Sequence, residues 1–158
     1  MTAPIERSLL TRQVVTFMVD ALASDQILVG RGTAPQAGGW PQGQPGKGDF
    51  KEYLTIKTGV ATQNPTGPDT LGHRKNRQGW AVGYLFTYSA VKDSRADDIA
   101  DLGRKAIVQL DGNLDLAGEI WTVNRIDIPR LGPSTPNRST SPPFWEVTDG
   151  VSVWLTRA

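Results

Sequence analysis

Three long polar stretches, roughly residues 30–52, 63–78 and 129–143, interrupt this chain and leave only seven short patterned segments to build a core. The first two stretches are dense in Gly and Pro or in Arg and Lys, and the third is rich in Pro, Ser and Thr. Loops this long are uncommon in compact domains unless they are functional or disordered. The fold must therefore come from the apolar spacing between them.

Residues 4–24 read as an amphipathic helix. Ile5, Leu9, Leu10, Val14, Phe17, Met18, Ala21 and Leu22 recur at three- and four-residue steps, the spacing of a packed helical stripe. Pro4 suits the first helical position and Glu6 the positive helix start. Ile27-Leu28-Val29 is a short buried-strand candidate. Tyr53–Thr62 alternates with period two and reads as a strand. Trp80–Val91, rich in Tyr, Phe and Val, is a second, and the two pair as a hairpin with a long tip.

Asp93–Leu110 reads as the second helix, capped by Asp93 or Ser94. Its buried stripe is Ile99, Leu102, Ala106 and Leu110. Asp97 and Asp101 repel, whereas Asp101 precedes Lys105 by four residues in the favourable order. Asp111-Gly112-Asn113 ends the helix. Glu119–Ile128 is a strand stopped by Pro129, and Phe144–Thr156 is a final strand with a turn or bulge at Asp149-Gly150. The order predicts one α+β domain over residues 1–158, with both helices on one face of a mostly antiparallel or mixed sheet.

The chain has 158 residues, a length suited to one domain, a net charge of +1 and no cysteine. Near-zero charge recommends neither a nucleic-acid nor a membrane partner. The missing cysteines remove disulfides, thiolate catalysis and Cys-based zinc sites. Leu9–Leu22 is too interrupted by Thr11, Arg12, Gln13 and Asp20 for a secretory or membrane-spanning segment. Asn137-Arg138-Ser139 matches a glycosylation sequon by chance.

No catalytic, cofactor-binding or metal-binding set emerges. His73, the one histidine, sits in a basic loop, and no Gly-x-Ser-x-Gly elbow exists. Asp93, Asp97, Asp98 and Asp101 read as a solvated helix face. Gly46-Lys47-Gly48 lacks the Ser or Thr and the spacing of a phosphate loop, and Gly30-Arg31-Gly32 lacks the third glycine of a dinucleotide fingerprint. Two features suit contacts with other proteins. Trp40 stands alone in the Gly/Pro loop, either packed back on its own domain or anchored in a neighbouring subunit. His73-Arg74-Lys75-Asn76-Arg77 concentrates positive charge. Trp40, Arg74, Lys75, Arg77 and Arg138 are the candidate subunit or partner contacts. A nucleic-acid-binding module using 73–77 is a separate reading, marked by duplex binding that collapses as salt rises.

With these elements in place, the chain resembles the tail terminator proteins of long-tailed, siphovirus-type bacteriophages. The resemblance rests on the overall layout and on local texture. The opening helix Arg7-Ser8-Leu9-Leu10-Thr11-Arg12, the loop around Gly39-Trp40-Pro41 and the hairpin Tyr53–Thr62 with Trp80–Val91 carry it. So do the helix Ala96-Asp97-Asp98-Ile99-Ala100-Asp101-Leu102 and the strand Trp121-Thr122-Val123. The resemblance implies a sheet with helices on one side, assembled as a homo-hexameric ring that caps the tail tube and stops its growth. The implied partners are further copies of the chain, the tail tube protein and a head-side stopper or connector. Viral DNA would pass through the lumen without specific binding. The implied location is the tail–neck junction of the virion, after assembly in the host cytoplasm. Related head-closure stoppers share this layout and are the nearest alternative.

Overall fold

The structure, a computed structural model, describes residues 4–42, 44–63 and 79–158. The elements run α1 (Arg7–Leu22), β1 (Leu28–Arg31), β2 (Tyr53–Gln63), β3 (Gly79–Ala90), α2 (Asp93–Ile107), β4 (Gly112–Leu116), β5 (Glu119–Arg130), β6 (Ser134–Asn137) and β7 (Phe144–Arg157). Seven strands form one sheet in the order β1-β2-β3-β7-β5-β4, with β6 also on β7. Only β1 runs parallel to its partner. This is the α+β class with a mixed sheet that the spacing predicts.

Period-two alternation decides which face is buried. Val82, Tyr84, Phe86 and Tyr88 of β3 stand beside Val153, Val151, Asp149 and Val147 of β7, and all are buried. Both helices cover this face. Thr11 of α1 bonds Tyr84 Oη at 3.2 Å, and Gly103 of α2 lies directly on the Tyr88 ring. Leu10, Val14, Met18 and Leu22 supply the α1 side of the core, and Ala96, Ile99, Ala100 and Ile107 the α2 side. The opposite face, with Lys57, Leu85 and Thr148, carries no helix among the described residues.

Helix α1 also touches both edges of the sheet. Arg31 of β1 donates to Ser8 Oγ at 3.1 Å, and Gln13 donates to the Asp115 carbonyl of β4 at 3.4 Å. These bonds tie the helix to both edge strands, and Gln13 satisfies one carbonyl on the β4 edge.

Several sequence expectations need correction. Pro4 lies before α1, which begins at Arg7 after Glu6, and no side chain caps it. The α2 cap position is Lys92 and not Asp93 or Ser94, again without a side-chain cap bond, and α2 ends at Ile107. The segment after it forms β4, because Gly112–Leu116 finds ladder partners in Glu119–Val123. The stretch 129–143 is not all loop: Ser134–Asn137 pairs with Phe144–Val147 as β6.

The expected break at Asp149-Gly150 is absent from β7, which stays in register with β3 from Trp145 to Thr156. What changes there is the partner on its other edge. β5 pairs with Gly150–Arg157 and β6 with Phe144–Val147. The Gly132 N–H, between β5 and β6, donates to Asp149 Oδ1 at 3.0 Å. A side chain on Gly132 would overlap the Thr148 carbonyl, so glycine lets the chain cross close to β7.

Candidate functional site

The strand directions put the strand ends that flank the long stretches 30–52 and 63–78 at opposite ends of the sheet. Tyr53 of β2, Ser89 of β3 and Glu146 of β7 lie side by side at one end, and Gln63, Trp80 and Leu155 at the other. The Gly/Pro loop enters at the first end through Glu52, and the chain that follows β6 enters it through Phe144. The segment holding His73, Arg74, Lys75 and Arg77 joins Gln63 to Gly79 at the second end. Those four residues lie outside the described residues.

At the first end an aromatic cluster fastens the Gly/Pro loop. Phe50 packs on Tyr53 at 6.1 Å and on Phe144 at 5.5 Å between ring centroids. Trp40 meets Phe50 edge-on, 5.2 Å away at an interplanar angle of 85°, a favoured aromatic geometry. Gly39 and Lys51 exchange two backbone hydrogen bonds of 2.8 Å and close the loop's base. Farther out, Gly46 lies against Pro142, so this loop and the chain before β7 touch. Trp40 is thus half-buried on its own chain, with its Nε1 enclosed and without a hydrogen-bond partner among the described residues. Arg138 is exposed just after β6. Trp40 and Arg138, far apart in sequence, therefore share one end of the molecule.

At the second end two arginines lie over indole rings. The Arg125 guanidinium sits 4.2 Å from the Trp154 ring centre and bonds Asp127, and Arg157 lies 4.7 Å from Trp121 and bonds Glu119. Arginine and tryptophan are enriched where interfaces gain their affinity.

Between the ends lies the open sheet face. One row crosses four strands: Lys57, Leu85, Gly150 and Arg130 are successive register partners and point the same way. Leu85 is 49% exposed. The bare backbone at Gly150 leaves a shallow hollow of about 410 Å³, walled by Leu85, Arg130, Pro133, Thr135 and Thr148. A larger hollow of about 670 Å³ lies between the Gly/Pro loop and α2, over Leu28, Ala37 and Phe50. Two of its lining charges pair with each other. Arg95 grips Glu52 with bonds of 2.7 and 2.9 Å, and that hydrogen bond raises the arginine pKa. Among the described residues, no group of three or more acidic or histidine side chains is placed to hold a metal ion. No described helix is long and apolar enough to cross a membrane.

The side of β3 that carries Leu85 was within reach of the sequence, since the alternation of 80–91 already separates Leu85 and Thr87 from Tyr84, Phe86 and Tyr88. Which of those faces stays open was not. No protein-family model matches this chain, and no curated protein matches it.

Proposed function

We propose that this chain is a structural virion protein that assembles as a ring on the end of a long bacteriophage tail tube. There it ends tube growth and offers its other side to the head or neck. The observation that carries this reading is that the Gly/Pro loop and the chain before β7 meet at one end of the sheet, while Gln63 and Gly79, which flank the basic segment, lie at the other. A ring inserted between two different neighbours needs a distinct contact surface at each end. Loops supply such surfaces without disturbing the core that holds them. The aromatic cluster around Phe50 and the link between Gly46 and Pro142 supply one built end. Gln63 and Gly79 launch the basic segment from the other.

The sheet with both helices on one face is also the layout that the terminator resemblance implies. Self-assembly through unlike patches is the geometry by which rings close. In this reading the partners are further copies of the chain, the tail tube protein and a head-side connector. DNA is a passenger in the lumen.

The test is tail length by electron microscopy after the gene is silenced in the phage that encodes it. Overlong, uneven tails that fail to join heads are expected, because only loss of a cap lets the tube keep growing. Tails of normal length beside heads that leak DNA would overturn the reading in favour of a head-closure stopper. Salt-sensitive duplex binding that is lost when Arg74, Lys75 and Arg77 become alanine would favour the nucleic-acid module instead.

A further inference from the structure

Two charged patches on this chain complement each other and point in opposite directions. The first is the open-face row, in which Leu85 stands between the cations Lys57 and Arg130. Both cations are exposed, and neither has an ion-pair partner among the described residues. The second is a stripe on the outer side of α2. Asp93, Asp97 and Asp101 recur every four residues and are all exposed. Of the three, only Asp101 has an ion pair among the described residues, a 3.0 Å bond to Arg104. Carboxylates four residues apart on a helix repel each other. The isolated chain therefore holds a repulsive stripe on one side and unpaired cations on the other.

We propose that the open face of one copy, centred on Leu85, seats against the aspartate stripe of α2 on a second copy. The spans agree. Three strand spacings separate Lys57 from Arg130, ~14 Å, and eight helical residues separate Asp93 from Asp101, ~12 Å. Both cations engage the stripe at once in this arrangement. Asp97, between the other two, then falls over the Gly150 hollow, whose rim carries the hydroxyls of Thr135 and Thr148. α2 lies on the covered face of the sheet, so the two patches belong to opposite sides of the molecule. A contact between unlike patches leaves the pair with one free patch of each kind, one on each copy. It therefore repeats from copy to copy and closes into a ring when the rotation allows. This contact deepens the ring reading and rests on it.

Charge reversal tests the pairing in a way that misfolding cannot imitate. The double variant Lys57→Glu/Arg130→Glu makes both patches acidic, and Asp93→Lys/Asp97→Lys makes both basic. Each variant alone is expected to need at least about tenfold more protein to self-associate than the wild type, since like charges across an interface oppose docking. A one-to-one mixture is expected to assemble with the two variants alternating, because every contact in it again joins opposite charges. Sedimentation reads the mass, and native mass spectrometry reads the ratio of the two variants. Wild-type-like assembly by either variant alone, or no recovery in the mixture, overturns this contact and leaves the ring reading standing. A wild-type chain that stays monomeric at millimolar concentration overturns both.

Discussion

Arg104 of α2 holds Asp149 of β7 with two hydrogen bonds, Nε to Oδ2 at 2.7 Å and Nη2 to Oδ1 at 2.8 Å. The Asp149 side chain is 1% exposed and the Arg104 side chain 18%. The bond to Asp149 is the main reason that the Arg104 pKa is raised above its ordinary value. Asp149 also accepts the Gly132 N–H, so one carboxylate ties the second helix, the central strand and the β5–β6 connection together.

Asp149→Ala is therefore expected to cost about 3 kcal/mol, the scale for breaking a buried pair and stranding its partner. Arg104→Lys keeps the charge but loses the two-pronged geometry, and a smaller loss is expected. Urea unfolding measures both. An unchanged midpoint for Asp149→Ala would remove this residue from the framework.

Gly103→Ala should reverse the usual sign. In an open helix, alanine is favoured over glycine by about 1 kcal/mol. Here an added methyl would overlap the Tyr88 ring and hydroxyl, and overpacking of this kind costs about 1–3 kcal/mol. Thermal melting decides. A stabilised variant would show that α2 does not approach β3 this closely.

Trp40 and Phe50 should be coupled. A double-mutant cycle with Trp40→Ala and Phe50→Ala is expected to give roughly 0.5–1.5 kcal/mol of interaction, the range for aromatic pairs beyond their burial. Zero coupling would mean that the Gly/Pro loop is not fastened through this contact.

Alkaline pH should unfold the chain before its tyrosines ionise. Burial is the first cause raising all three tyrosines, with Tyr84 pushed up to about 12. Their phenols keep their protons in the fold while the unfolded chain releases them above pH ~10. Fewer protons bound in the unfolded state make stability fall as pH rises. The contribution is complete below pH ~10 and is lost as pH climbs toward the folded values. Phenolate absorbance is expected to appear together with loss of far-ultraviolet helix signal. A phenolate step near pH 10 in a still-folded chain would contradict the burial of these rings.

Much of this architecture was legible in the sequence because its signals are local. The apolar steps of Leu10, Val14, Met18 and Leu22 identify a helix wherever the chain lies. The alternation of β3 separates Tyr84, Phe86 and Tyr88 from Leu85 and Thr87 before any partner strand is known. β4 and β6 were not legible. Gly112–Leu116 and Ser134–Asn137 have weak strand composition, and they are strands because Glu119–Val123 and Phe144–Val147 supply their ladder bonds. The start of α1 and the cap of α2 misled for the opposite reason: Pro4, Asp93 and Ser94 have suitable chemistry, but α1 begins at Arg7 and α2, which does begin at Asp93, has Lys92 at its cap position.

The sequence by itself determined the types of α1, α2 and five of the strands, the apolar sides of those segments and the class of the fold, since these follow from side-chain periodicity along a single segment. Tertiary structure alone decided that Trp40 and Arg138 share one end, that Asp149 is paired, and that Lys57, Leu85 and Arg130 form one row. Each of those facts depends on strand register and on a covering layer contributed by residues tens of positions away. No local pattern encodes them.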